Sequence, residues 1–201
     1  MPRIALPAPR LKGEVSLEEA ISSRRSRRGF KATALTLEQV SQIFWAAQGI
    51  TSPEGLRAAP TAGALYGVDL YAAVGKKKAG GLAAGVYRYV PRDHALEHIL
   101  KRDVRRELAR LAVNQVFIAD APMAMIITGE YERISRKYGD RATRYVHMEA
   151  GHAAQNVYLQ AEALGLGTVV VGSFQDEEVS RALALPAGQR PLYIMPIGYA
   201  A

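Results

Sequence analysis

The residues best suited to chemistry fall in three short stretches. Arg24-Arg25-Ser26-Arg27-Arg28 sets four guanidinium groups around one hydroxyl. Guanidinium forks grip phosphate through paired hydrogen bonds, and a serine hydroxyl adds a donor. On residue type alone the cluster fits a solvated face, a phosphate site or a nucleic-acid patch, in that order. No aromatic alternates with the arginines and no zinc-finger or RRM-type signature occurs, which counts against nucleic acid. The second stretch runs Ala58-Ala59-Pro60-Thr61-Ala62-Gly63-Ala64-Leu65-Tyr66-Gly67. Small residues let backbone approach a flat ligand closely, and they serve a plain linker equally well. The third is Gly172-Ser173-Phe174, which leads into the acidic run Gln175-Asp176-Glu177-Glu178. Free N–H groups at a strand-to-helix junction suit an electron-rich ligand edge, although an ordinary connection reads the same way.

Self-sufficient catalytic machinery does not stand out. The chain has no Cys, which removes thiolate nucleophiles, disulfides and cysteine metal sites. His147 and His152 are five residues apart, about 140° around a helix, and no HExxH occurs, so no metal is expected. There is no GxSxG elbow, P-loop or pair of carboxylates in a cleft-like context. Gly165-x-Gly167 has Val170 where a third glycine would stand, and it follows a helix and precedes a strand, the reverse of the dinucleotide fingerprint. No side chain is therefore assigned a catalytic role. An enzyme built from this sequence would need a cofactor to carry the chemistry.

The element that must position these groups is the stretch Tyr145–Phe174. Val146, Ala150, Ala153, Val157, Ala161 and Leu164 follow helical spacing and predict a buried face. His147, Gly151, Ala154 and Tyr158 form a second stripe, poor in charge, where Gly151 and Ala154 would admit another helix. Gly165 predicts the helix stop, and Thr168–Val171 a short buried strand. Ser16-x-x-Glu19 and Thr36-x-x-Gln39 are capping boxes. The first opens a short helix with Leu17, Ala20 and Ile21 facing inward; the second opens an amphipathic helix holding Trp45, the lone tryptophan. Residues 69–74, 86–90, 95–100, 123–128 and 192–197 read as strands, the middle pair as a hairpin turning at Pro91-Arg92-Asp93. His94 and His98 beside that turn read as surface residues, and Lys76–Gly81 as a turn. Pro2, Pro7 and Pro9 exclude a regular helix at the start, so residues 1–14 are expected as an extended arm and 15–201 as one domain. Helices and strands mix without tidy βαβ repeats, which predicts an α+β fold with a mainly antiparallel central sheet flanked by helices.

With 201 residues the chain can bury a real core. No apolar run approaches a membrane span and no secretory h-region opens the sequence, so a cytoplasmic protein without membrane partners is expected. The net charge of +7 suits phosphate-bearing ligands and other anionic partners.

Taken together, three pieces resemble the FMN-dependent nitroreductase family, and most nearly its peptide-azole oxidase branch. They are Arg24–Phe30, Ala59–Tyr66, and Glu149–Asn156 continuing through Gly165-Leu166-Gly167 to Gly172-Ser173-Phe174. Arg144-Tyr145 and Pro191-Leu192-Tyr193 with Pro196-Ile197-Gly198 fit as well, so the likeness spans about residues 15–198. The resemblance implies a homodimer holding FMN in its interface. Arg24, Ser26 and Arg28, with Arg25 beside them, would contact the phosphate, ribityl or pyrimidine edge. Pro60, Thr61, Ala62, Gly63 and Ala64 would lie along the flavin from the other subunit, with Gly172 and Ser173 near its reactive edge. The helix 145–164 would be the seam. The family's usual chain continues into a further basic segment that holds phosphate, whereas this sequence reads Gly198-Tyr199-Ala200-Ala201 there, which shifts the load onto the arginine cluster. The implied activity moves electrons from NAD(P)H through FMN to an electron-poor small molecule such as a nitroaromatic or quinone. Flavin binding without turnover and oxidation of peptide-derived substrates are the alternatives.

Overall fold

The computed structural model describes residues 3–76 and 78–201. Pro2 of the arm and Lys77 of the Lys76–Gly81 turn lie outside the described residues. Seven strands form one sheet in the order β1-β4-β3-β2-β5-β7-β6, and all its neighbours pair antiparallel. The strands are β1 (Arg3–Ala5), β2 (Val68–Val74), β3 (Gly85–Val90), β4 (Ala95–Leu100), β5 (Met123–Glu130), β6 (Gly167–Thr168) and β7 (Gln189–Gly198). The helices are α1 (Leu17–Ser23), α2 (Leu37–Gln48), α3 (Arg105–Leu111), α4 (Phe117–Asp120), α5 (Tyr131–Tyr138), α6 (Ala142–Ala163) and α7 (Asp176–Leu183). The antiparallel α+β expectation holds.

Both faces of the sheet are covered, which explains why its central strands are apolar throughout rather than alternating. Leu70, Ala72 and Val74 of β2 and Met123, Met125 and Ile127 of β5 share a core with Phe44 of α2 and Val157 of α6. The intervening Tyr71, Ala73, Ala124 and Ile126 point the other way, into a core built with α3, α4 and α7. The period of two thus sorts one strand's side chains between two layers.

Local signals act as the sequence predicts. Ser16 and Thr36 each form a complete capping box. Helix α6 ends in a Schellman turn: Gly165 takes φ 67°, while Leu166 N–H reaches Ala161 O at 2.8 Å and Gly165 N–H reaches Glu162 O at 3.0 Å. The N-terminal segment is extended and lies on its own chain. β1 pairs with β4, and beyond it Arg10 N–H donates to Gln42 Oε1 at 2.8 Å.

Four expectations are corrected. In α1 only Ala20 faces inward; Leu17 and Ile21 are 60% and 55% exposed, because seven residues bury too narrow a stripe to include them. Continuous pairing after α6 covers just Gly167–Thr168, with one further bridge at Val171. In the second stripe of α6, Ala154 is buried in this chain's core while Gly151 stays open. His94 is half-buried rather than a free surface residue: it takes φ 41° and its ring joins Ser41, Tyr89 and the Pro7 carbonyl. His98 likewise stacks on Tyr87 at 4.3 Å between centroids.

Candidate ligand-binding site

The arginine-bearing segment is stitched down from both sides. Arg27 N–H donates to Thr168 O at 2.9 Å, and Ser26 forms a parallel bridge with Thr168. On the other side Lys31 N–H donates to Tyr199 O and Ala201 N–H to Gly29 O. Gly167 permits this crossing, since a Cβ there would sit 2.8 Å from Arg27 Cβ. Tyr158 of α6 ties the pieces together. Its hydroxyl accepts from Val170 N–H at 2.8 Å and shares a 3.1 Å hydrogen bond with Ser26 Oγ. The Arg24 guanidinium lies over the same ring, 5.1 Å from its centroid.

Arg24 is half-buried, and Arg25, Arg27 and Arg28 are exposed. Among the described residues none of the four makes an ion pair, whereas Arg88, Arg105 and Arg133 each hold a carboxylate. The Arg25 head folds back onto the carbonyls of Ser22 and Arg24. A group of guanidiniums without counter-charge, beside a serine hydroxyl, suits an anionic ligand. The Thr168 hydroxyl is buried there with no partner among the described residues. Gly172 and Ser173 follow four and five residues after Thr168 and are exposed, with α7 starting at Asp176.

The small-residue loop is placed elsewhere. Ala62–Ala64 form one 3-10 turn with Gly63 and Ala64 exposed. Glu149 of α6 holds both ends of the loop: its carboxylate accepts Ala62 N–H at 2.9 Å and Gly67 N–H at 3.0 Å. Glu149 and Tyr158 are nine residues apart on one helix, so their anchoring points are separated by about 13 Å along its axis. One chain therefore sets Arg24 and Ser26 at the level of Tyr158 on α6 and the Ala62–Ala64 loop at the level of Glu149, while Gly172 lies beside the Tyr193 ring of β7.

A groove of about 1180 Å³ runs between the N-terminal segment and α2 and α6, lined by Gln42, Trp45, Arg57, Asn156, Leu159 and Gln160. The residues expected to bind the cofactor, Arg24 to Arg28, Pro60 to Ala64, Gly172 and Ser173, are not among those that line it. Spacing arguments missed the polar groups that hold the loop. Asp69 Oδ2 accepts from Arg133 at 2.7 Å and from Gln189 Nε2 at 3.0 Å, and Arg133 also donates to Tyr66 O. Arg57 stacks on the Tyr66 ring at 4.0 Å. Such contacts join residues far apart in the chain and leave no periodic trace. The one available signal was an acidic Glu149 beside the apolar Ala150 and Val146.

No group of three or more metal-ligating side chains that could hold an ion occurs among the described residues. No helix there is long and apolar enough to cross a membrane.

Comparison with known proteins places this geometry. The model of the nitroreductase family matches residues 21–199. A Methanocaldococcus jannaschii protein provisionally named a nitroreductase is 46% identical over 185 residues, covering 92% of this chain and 91% of that protein. A crystal structure from Ralstonia eutropha, also provisionally named a nitroreductase, superposes with a TM-score of 0.87 at 30% identity, covering 99% of this chain and 90% of that one. The NADPH-flavin oxidoreductase of Vibrio harveyi is 26% identical over 113 residues, 52% of this chain and 47% of that protein.

Proposed function

The chain belongs to the nitroreductase family and is an oxidoreductase, and on that footing we propose that it binds FMN and moves electrons from NAD(P)H to an electron-poor small molecule such as a nitroaromatic or quinone. The observation that carries the reading is the group of guanidiniums at Arg24–Arg28, without an ion-pair partner among the described residues and fixed by Tyr158 and Thr168. These residues fit the cofactor. Arg24 and Arg28, with Arg25 free to swing out, offer charge-assisted donors to a phosphate, and Ser26 adds a hydroxyl. Gly172 and Ser173 offer backbone N–H groups on an exposed turn. Pro60, Thr61, Ala62, Gly63 and Ala64 offer a surface low enough for a flat ring. Bound FMN would supply the reversible two-electron chemistry that the side chains lack. The protein's part is to orient the ring, hold its charged tail and leave one face open to flat partners.

Two copies would complete the site. The loop and the arginine cluster lie toward opposite ends of α6, so a two-fold axis across that helix would set one protomer's loop beside the other's cluster. Exposed Met148, Leu17 and Ile21 and the open position at Gly151 support a homodimeric seam. A cysteine-free chain of this kind is suited to the cytoplasm.

The test is an anaerobic titration of purified protein with FMN and then NADH or NADPH. The expected result is a yellow complex that bleaches on adding the nicotinamide and recovers colour with a quinone. A yellow complex that never bleaches would assign binding without turnover, and colourless protein would overturn the reading. Arg24→Ala with Arg28→Ala should weaken FMN binding by about tenfold or more, because each lost charged hydrogen bond is worth roughly 1.5–3 kcal/mol. Equilibrium dialysis measures it; unchanged affinity would remove the phosphate from this cluster.

A further inference from the structure

The loop Thr61–Gly67 is held in a backbone shape that its own sequence disfavours. Gly63, Ala64 and Tyr66 take φ 59°, 56° and 55°. For Gly63 this is free, but for alanine and tyrosine the left-handed region crowds Cβ against backbone. Such conformations persist only where surrounding contacts over-determine them.

The contacts that do so converge on α6. Glu149 is 2% exposed, and its two carboxylate oxygens separately accept the Ala62 and Gly67 N–H groups, the two ends of the strained turn. Thr61 Oγ1 accepts Tyr66 N–H at 3.0 Å inside the turn, and Arg133 donates to the Tyr66 carbonyl. Gly67 fits under α5 and α6 for lack of a side chain, since a Cβ there would lie 2.7 Å from Ile134 and 2.9 Å from Val146. The outcome is that Gly63 and Ala64 are exposed, Gly63 close beside Tyr138 of α5, while their flanks are fastened to the helix.

We propose that Glu149 is a positioning residue: its buried carboxylate fixes Ala62–Ala64 in the shape that meets the flavin ring, without itself touching the cofactor. The proposal rests on the flavin reading of the loop. A carboxylate is the side chain the task requires. It offers acceptors on two oxygens and no donor, so it can serve two backbone N–H groups at once. Glutamine has nearly the same shape but would turn an NH2 group toward one of those donors. Because α6 also carries Tyr158, one helix sets both the loop and the arginine segment.

The test compares wild type with Glu149→Gln. In flavin-free protein, hydrogen exchange at the Ala62 and Gly67 amides is expected to accelerate by about tenfold or more. FMN affinity should fall by a comparable factor and the visible spectrum of the residual complex should shift. A purely structural role would lower the melting temperature and leave the spectrum of the bound flavin unchanged. Thr61→Val, which removes the hydrogen bond inside the turn, should move the same readouts in the same direction by a smaller factor, and it serves if Glu149→Gln fails to fold. Unchanged exchange at both amides in the folded variant would overturn the clip. Faster exchange with unchanged flavin affinity and spectrum would leave the clip in place but remove the loop from the flavin, overturning the positioning role.

Discussion

Single residues carry much of the arrangement through polar contacts between distant parts of the chain. His94 is one. Burial holds its ring below the usual imidazole range, against the opposing pull of its bond to the Pro7 carbonyl. The sign follows from linkage. Above about pH 6.5 the ring is neutral in both folded and unfolded chains and contributes no slope. Below that, the unfolded chain takes up a proton that the folded one resists, so stability falls as pH drops toward the folded value. The melting temperature should therefore be lower at about pH 5.5 than at about pH 7.5. His94→Asn tolerates the left-handed backbone and should flatten part of that slope in thermal melts; an identical slope would show that other groups cause it.

At the level of elements, Gly167 decides whether the arginine segment can cross the β6 strand at all. Gly167→Val would drive a side chain into Arg27 Cβ and Cγ. It should cost about 1–3 kcal/mol and weaken FMN binding, measured by melting and dialysis; normal flavin affinity would show that the crossing is unimportant to the site. Helix starts and stops were legible because each is written in a few adjacent residues. Ser16 with Glu19, Thr36 with Gln39, and Gly165 all act locally. What stayed illegible depends on tertiary partners. Helical spacing groups Leu17 with Ile21 but cannot say whether anything covers them. Thr168–Val171 has strand composition, yet pairing with β7 stops after Thr168 and returns only at Val171 with Ile194; between them Arg27 N–H takes the Thr168 carbonyl and the Tyr158 hydroxyl accepts Val170 N–H. The three stretches rich in chemistry were visible. The Glu149 clip was not, because it joins residues 87 apart to the loop.

For the molecule as a whole, the proposed assembly turns on α6. A Cβ at Gly151 would meet nothing within 4 Å among the described residues. Gly151→Leu should thus leave the fold intact, and the better helix former should add up to about 1 kcal/mol. In the proposed dimer the same leucine would stand in the seam. Sedimentation should show a folded monomer, while a native dimer would place the seam elsewhere.

The sheet's two rims have a consequence of their own. β1 shields three residues of β4, β6 shields two of β7, and the remaining outer margin of β7 carries Arg190, Pro191 and Pro196. A stray polypeptide seeking to extend the sheet would find short landings, a charge, and prolines that cannot donate. The long apolar ribbons at the centre are thereby kept from seeding polymer growth in a concentrated solution.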